Sequence, residues 1–397
     1  MPLRIGVLTG GGDTSALNAT LHGVGIKAEE LGFELIGFME GWKGVLKGGG
    51  YFTLTPDLID EYQGGTLLKS SRTNLIRDGR LDEAIDNLHK LNIDALIPIG
   101  GDDTLTVGAA LSEHFTMTFI TKTIDNDVGT NPPDGDSVDY SQMRNYFCPG
   151  FPTAASRVID YVRDLRTTAY SHDRIIVVEA MGRDSGWLTL ASAYGHADLI
   201  VVPEIPYEPD RLAEAIHQKQ AEHGNVIVVV SEGIRNERGE LMISSKEELD
   251  AFGHTKPGGC SEIIVEAMKK KLPKIPDSAF RHIILGYLQR CGSPIEVDRV
   301  CAVKAGQMAV GAIAHRDVGT VATIIRTDDG IQTALRPLEQ VIERDAENRV
   351  IRRSLDLRFY DPENFQISRA GIGYFRPIFG NLPDPHFQPN LKVSRIP

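Results

Sequence analysis

Short apolar runs alternate with stretches of helical spacing along most of the chain, and several of the runs stop at glycine or an acidic residue. Arg4-Ile5-Gly6-Val7-Leu8-Thr9 predicts a buried strand ending at the turn Gly10-Gly11-Gly12-Asp13, and Thr14 to Glu30 predicts a helix. Phe33 to Phe38 predicts a second strand. Leu81, Ala84, Ile85 and Leu88 fall at i, i+3, i+4 and i+7, one helix face, and lead into a strand over Asp94 to Ile99. A second alternation follows: a strand over Arg174–Glu179, a helix over Pro209–His223 closed by Gly224, then strands over Asn225–Val230 and Arg281–Leu285. Proline at the start and glycine past the end of that helix is the expected asymmetry. Between the two alternations, Gly129 to Pro149 is polar and rich in Pro, Gly and Asp, which predicts a surface loop. Strand–helix alternation predicts an α/β protein with a mostly parallel, doubly wound sheet. At 397 residues, two cores are the expectation. Beyond about Asp356 the pattern becomes irregular, with prolines at 362, 377, 383, 385 and 389. Recurring Phe and Tyr predict an ordered extension wrapping the body.

In an open α/β sheet, ligands bind at the carboxyl ends of the strands. Two such ends carry most of the candidate chemistry. Ile97-Pro98-Ile99 runs into Gly100-Gly101-Asp102-Asp103, and a further apolar run ends at Thr121-Lys122-Thr123-Ile124-Asp125-Asn126-Asp127. Asp102 offers a hard oxygen to Mg²⁺, which takes one or two carboxylates plus phosphates and water. Asp125 and Asp127 supply further carboxylates, one as a general base on a substrate hydroxyl and the other in support. An acidic surface loop is the plainer alternative for these residues taken alone. The glycine turn at residues 10–13 has the form of a phosphate cradle before a helix, although a tight turn and nothing more fits it equally well. Arg72, Arg174, Arg183, Arg281 and Arg290 can grip phosphate with guanidinium forks, though each taken singly reads as a surface charge.

Composition narrows the partners. A net charge of −12 argues against nucleic acid but not against a small phosphate ester held by local cations. The longest aliphatic run, Val226–Val230, is too short to span a membrane, and Met1-Pro2-Leu3-Arg4 leads straight into a strand with no secretory signal. Four cysteines without a CxxC pair point to reduced thiols and a cytoplasmic location. The eleven histidines show no zinc spacing, and GxGxxG, GxSxG and Gly-Lys P-loop signatures are absent.

Taken together, the ordered blocks Gly10–Asp13, Gly64-Gly65-Thr66, Gly100-Gly101-Asp102, Thr123–Asp127, Met181-Gly182-Arg183, Ser231-Glu232-Gly233 and Gly286–Arg290 resemble the phosphofructokinase family from residue 3 to about 340. The resemblance implies two Rossmann-like, three-layer αβα domains with mostly parallel sheets and an active site in the cleft between them. Residues 1–140, with roughly 287–340, would hold donor and Mg²⁺; 141–286 would hold fructose 6-phosphate; 341–397 would form the extension. By the same resemblance Asp125 takes the proton of the sugar 1-hydroxyl, Asp102 binds Mg²⁺, and Asp127 and Thr123 support them. Gly11 and Gly12 meet the donor phosphates, and Arg72 and Arg183 stabilise the transferring group. Met181, Gly182, Glu232, Tyr287 and Arg290 line the sugar-phosphate site. Arg174 and Arg281 resemble residues that reach it from a neighbouring subunit, which implies a homodimer or homotetramer with shared active sites.

Asp103 and Lys122 stand where ATP-using members generally have glycine, and the pyrophosphate-using branch has Asp and Lys there. A carboxylate at 103 crowds and repels the α-phosphate of ATP, while Lys122 can grip pyrophosphate. Tyr287 and Trp187 also fit that branch, and Trp42 falls at the adenine-stacking place. The chain departs from the family pattern at Thr14–Asn18, at the long loop 128–149, at Pro152, and at His22 and Ile26, where effector-binding arginines occur. The implied activity is reversible, Mg²⁺-dependent transfer of phosphate from pyrophosphate to fructose 6-phosphate. An ATP-dependent enzyme, or one that also takes sedoheptulose 7-phosphate, is the alternative within the class. A dinucleotide-binding oxidoreductase is disfavoured by the missing GxGxxG and by carboxylates that hydride transfer would not need.

Overall fold

The computed structural model describes residues 2–135, 137–243, 258–346 and 350–384. From the N-terminus come β1 (Arg4–Thr9), α1 (Leu17–Glu30), β2 (Glu34–Phe38), β3 (Tyr51–Thr53), α2 (Leu81–Lys90), β4 (Ala95–Gly100), α3 (Asp102–Leu111) and β5 (Thr116–Thr121). Next are α4 (Phe151–Ser171), β6 (Ile175–Ala180), α5 (Trp187–Ala191), β7 (Leu199–Val201), α6 (Pro209–His223), β8 (Val226–Ser231), α7 (Cys260–Lys271) and β9 (Phe280–Ile284). Helix α8 (Glu296–His315) then returns the chain to the first sheet, which β10 (Thr320–Thr327) and β11 (Gly330–Pro337) complete.

The first sheet has the order β11-β10-β5-β4-β1-β2-β3 and is parallel except for its two antiparallel edge strands. The second, β7-β8-β6-β9, is parallel throughout. Alternate residues of one strand enter different cores, as the period of two requires. Leu96 packs on the outer face of the first sheet, while Ile97 and Ile99 face inward. Val226, Val228 and Val230 pack on the outer face of the second sheet, while Ile227 and Val229 face inward. The two inward faces share one continuous core, so the halves are joined by apolar packing as well as by chain. Close crossing of α1 and α8 depends on glycine: a Cβ on Gly23 would lie 2.0 Å from the Val303 carbonyl oxygen. No helix among the described residues is long and apolar enough to cross a membrane.

The architecture agrees with the α/β expectation, and three local readings need correction. Helix α1 starts at Leu17, not Thr14. The Gly65 amide bonds to the Thr14 carbonyl and the Asn18 amide to the Gly65 carbonyl, each at 3.1 Å, so the loop takes the groups that an earlier helical turn would need. Second, the segment 129–149 is not all surface loop. Met143, Asn145, Tyr146, Phe147 and Cys148 are fully buried, and Asn145 and Tyr146 bond to the Ile324 backbone of β10.

Third, the C-terminal stretch is not irregular. After α9 (Leu338–Val341) and the pair β12 (Glu343–Arg344) and β13 (Val350–Ile351), it forms β14 (Tyr360–Asp361), β15 (Gln366–Ile367) and α10 (Arg369–Phe379). Pro377 lies inside α10, and the Gly373 carbonyl that it leaves without an amide accepts Arg326 Nη1 at 2.7 Å. Tyr374 and Phe375 are fully buried, with Tyr374 packed 4.7 Å from both Tyr146 and Trp187 between ring centroids. Pro385 and Pro389 lie outside the described residues.

Asp298, buried at the start of α8, accepts the amides of Gly150 (2.8 Å) and Thr153 (3.2 Å) and the Thr153 hydroxyl (2.5 Å). It thereby fastens the start of α4 to α8. Asp298→Ala leaves these donors without their acceptor and is expected to lower stability by about 1–3 kcal/mol. Urea unfolding monitored by circular dichroism checks this, and a loss under about 0.5 kcal/mol would put the fastening elsewhere.

Candidate active site

The carboxyl ends of β1, β4 and β5 in one sheet and of β6 and β8 in the other converge on a cavity of about 180 Å³. Strands β1 and β4 are neighbours, and the chain continues from β1 to β2 on its other side, so the cavity lies where the winding reverses. Gly11, Gly12, Arg72, Asp102, Asp103, Lys122, Thr123, Asp125, Asp127, Met181, Arg183, Glu232 and Arg290 all line it. Most of the residues singled out from sequence are therefore brought together. Most sit on the carboxyl ends of these five strands, where a parallel sheet collects its turns, while Arg72 comes from the loop before α2 and Arg290 from the turn after β9.

The glycine turn is held on both sides. The Gly10 amide bonds to the Ile99 carbonyl (2.9 Å) and the Gly11 amide to the Ser71 carbonyl (3.0 Å), with Gly11 at φ +80°, a left-handed conformation suited to glycine. Lys122 is buried, and its Nζ donates to the Gly12 carbonyl. Burial, reinforced by the charge of Arg290, pulls the Lys122 ammonium down to about 8. Asp102 and Asp103 occupy the first turn of α3, where the helix dipole favours negative charge.

The turn after β5 carries two carboxylates whose ionised forms are disfavoured. Asn126 holds a left-handed backbone (φ 55°) and is fully buried; its amide Nδ2 donates to the Tyr374 hydroxyl at 2.8 Å. Asp125 is fixed through its backbone: its amide donates to Thr123 Oγ1 (3.1 Å), and its carbonyl accepts Ser185 Oγ (2.7 Å). Its carboxylate Oδ1 is buried and has no hydrogen-bond partner among the described residues. Burial first, then the like charges of Asp127 and Glu232, pushes Asp125 up to about 8, against the pull of Arg352 and Arg183. Asp127 is raised by burial and by Asp102. Burial pushes Glu232 up to about 7, partly offset by the Gly182 amide 3.4 Å from its Oε1. A carboxylate at such a strand end, with one oxygen buried and without a partner among the described residues and its proton affinity raised toward neutrality, has the properties of a general base.

Two lining residues were not foreseen. Arg352, just after β13, places Nε 2.9 Å from Asp102 Oδ2 and 3.9 Å from Asp127 Oδ2, and Nη1 2.7 Å from Asp184 Oδ2. A cation thus already stands between Asp102 and Asp127. A Mg²⁺ ion bound by one or two carboxylates with phosphate oxygens fits that donor set. Among the described residues no group of three or more His, Cys, Asp or Glu could cage a metal by itself. Asp184 follows Arg183 directly and could have been read from the same block. No sequence signal ties residue 352 to residue 102.

The family match falls on this scaffold: the description "Phosphofructokinase" matches residues 4–313. The chain belongs to the phosphofructokinase family. A relative from Amycolatopsis mediterranei, named pyrophosphate–fructose 6-phosphate 1-phosphotransferase, is 38% identical over 331 residues, covering 82% of this chain and 92% of that protein. A Streptomyces coelicolor relative named ATP-dependent 6-phosphofructokinase 3 is 35% identical over 334 residues, with the same coverage. The crystal structure of a pyrophosphate-dependent phosphofructokinase from Marinobacter aquaeolei shares the fold, with a TM-score of 0.77 at 20% identity over 98% of this chain and 94% of that one. Arg352 lies beyond the segment that the family description matches.

Four phosphofructokinase-like positions, Arg174, Gly182, Arg281 and Tyr287, stay outside the cavity lining in a single chain. Arg174 and Arg281 stand at the amino ends of β6 and β9, the edge of the second sheet opposite the cavity. Tyr287 is 68% exposed, and the guanidinium of Arg290 stacks 4.5 Å from its ring centre while bonding Asp13 at 3.0 Å. Gly182 acts through its backbone: its carbonyl accepts Ser231 Oγ and its amide faces Glu232. Trp42 is 2% exposed within the outer core of the first sheet, so its ring faces offer no place for an adenine to stack.

Proposed function

We propose that this phosphofructokinase is a cytoplasmic, Mg²⁺-dependent enzyme that reversibly transfers a phosphoryl group from pyrophosphate to the 1-hydroxyl of fructose 6-phosphate, giving fructose 1,6-bisphosphate and phosphate. The observation that carries the donor choice is the presence of both Asp103 and the buried Lys122 in the lining of one cavity. The name of the Amycolatopsis relative supports it.

In this reading residues 1–140 with 287–340 hold the donor, 141–286 hold the sugar phosphate, and 341–397 add the extension. Gly11, Gly12, Arg72 and Lys122 bind the pyrophosphate, and Asp103 excludes a bulkier nucleotide. Met181, Gly182, Glu232 and Arg290 orient fructose 6-phosphate with O1 toward Asp125. Asp125 accepts the O1 proton as the new O–P bond forms and the bridging O–P bond of pyrophosphate breaks, releasing phosphate. Thr123 and Asp127 hold that carboxylate in place, and Arg183 offsets the charge on the transferring group. Mg²⁺, held by Asp102 with Asp127 beside it, supplies further neutralisation of phosphate charge when bound. A coupled assay run in parallel with pyrophosphate and ATP tests the reading. Efficient turnover with ATP and little with pyrophosphate would leave the family and overturn the donor. That outcome matches the name of the Streptomyces relative.

Arg174 and Arg281 would complete the sugar-phosphate site of a neighbouring subunit in a homodimer or homotetramer, since their own cavity is at the far edge of the sheet. Mixing inactive Arg281→Ala chains with inactive Asp125→Ala chains is expected to restore partial activity, because a hybrid interface holds one intact site. No recovery after demonstrated subunit exchange, or full activity in a monomer, refutes the shared site.

A further inference from the structure

The donor end of the cavity contains a cation that the family match does not supply. Arg352 touches Asp102 and Asp184, which follow strands of different sheets, and lies 3.9 Å from Asp127. Its backbone is fastened by its neighbours. The Arg353 amide bonds to the Asp127 carbonyl (2.7 Å), and the Arg353 guanidinium, 4% exposed, bonds to the carbonyls of Asn126 (2.6 and 2.9 Å) and Asn145 (2.5 Å). Two residues on, the Leu355 amide bonds to Glu204 Oε1 at 2.7 Å. The Arg352 side chain, 29% exposed, therefore has freedom that its anchored backbone lacks.

The Asp102 oxygen that Arg352 holds at 2.9 Å is on the carboxylate assigned to Mg²⁺. A metal on that carboxylate and a guanidinium hydrogen-bonded to it repel each other at a few ångströms in a partly dry site. The guanidinium then needs another anion, and a planar fork suits a phosphate as well as a carboxylate. Pyrophosphate in the cavity would provide one. We propose that Arg352 is a resident counter-ion of the donor site, which holds Asp102 while metal and donor are absent and exchanges it for a donor phosphate oxygen when Mg²⁺ and pyrophosphate bind together. This deepens the reading given above and rests on its assignment of Asp102 to the metal. Its consequence is coupling: metal alone must displace the arginine, whereas metal with donor gives the arginine a new partner.

Mn²⁺ binding to the full chain, titrated by electron paramagnetic resonance without substrates, tests the exchange directly. Arg352→Met is expected to tighten Mn²⁺ roughly tenfold, within the usual range for coupling between ligands of one protein. The same variant is expected to raise KM for pyrophosphate while leaving KM for fructose 6-phosphate near wild type. Arg352→Lys keeps the charge and should leave Mn²⁺ affinity close to wild type, which separates displacement of charge from damage to the fold. If Arg352→Met binds Mn²⁺ as wild type does while Asp102→Asn weakens it, the exchange is refuted and the metal assignment stands. If Arg352→Lys tightens Mn²⁺ as much as Arg352→Met, charge is not what the metal displaces, and the proposal falls. If Asp102→Asn changes nothing in either background, the metal assignment fails and the proposal goes with it.

Discussion

Asp125→Asn is expected to lower turnover roughly 10²–10⁴-fold, the range for loss of a general base, while fructose 6-phosphate binding changes little. Asparagine keeps the shape and the backbone contacts to Thr123 and Ser185, so the β5 turn should persist. What it cannot do is take a proton. The buried Oδ1, without a partner among the described residues, is the atom this prediction depends on. In the native structure such an orphan is costly unless a substrate group completes it.

The pH dependence carries a sign. Asp125 is raised to about 8 in the free enzyme, and only its ionised form accepts the proton. kcat/KM should therefore fall as pH drops below that value. Lys122 is lowered to about 8 and is charged only below it, so capture of pyrophosphate should fall as pH rises. The two limbs give kcat/KM for pyrophosphate a narrow bell, and Lys122→Arg should move its alkaline limb upward. Steady-state kinetics across pH with binding measured by calorimetry checks both statements. Retention of more than about a tenth of wild-type turnover by Asp125→Asn would remove it from the role of base.

The second large effect concerns the donor. Lys122→Gly removes a buried ammonium whose Nζ reaches the glycine turn. A charged hydrogen bond in such a site contributes about 1.5–3 kcal/mol, so use of pyrophosphate should weaken about ten- to a hundredfold. Asp103→Gly is expected to act in the other direction, because on the proposed reading it removes a carboxylate that would crowd and repel an α-phosphate, and to give measurable ATP use. Because Asp103 lies in the first turn of α3, glycine there also costs about 1 kcal/mol of helix stability. Thermal melting should accompany the kinetics. The double variant is expected to shift toward ATP without becoming an efficient ATP enzyme, since the buried Trp42 presents no face for adenine. A wild type that already prefers ATP, or an Asp103→Gly variant with no gain in ATP use, would sink this account of donor choice.

The position of the strand ends was legible in the sequence. Parallel strands buried on both faces are short, mostly apolar and end at their turn residues, so β1, β4, β6 and β8 could be placed to within a residue or two and β5 by the turn that ends it, and with them Asp102, Lys122, Asp125, Arg183 and Glu232. Helices α2 and α6 were legible from spacing and from the glycine cap of α6. Groups that meet only through distant pairing were not. Thr14 reads as helical until the Gly65 amide takes its carbonyl. The stretch 143–148 reads as loop until Asn145 and Tyr146 find β10 nearly 180 residues away. A run of prolines and aromatics reads as irregular until Arg326 satisfies the carbonyl freed by Pro377. Arg352 reaches Asp102 across 250 residues with no periodicity to announce it. Local pattern reports what a segment does to its own backbone and to the side of it that meets water. Which carboxylate an arginine meets depends on where the tertiary packing delivers the chain, and here that packing brought the extension to the carboxylates of the candidate site.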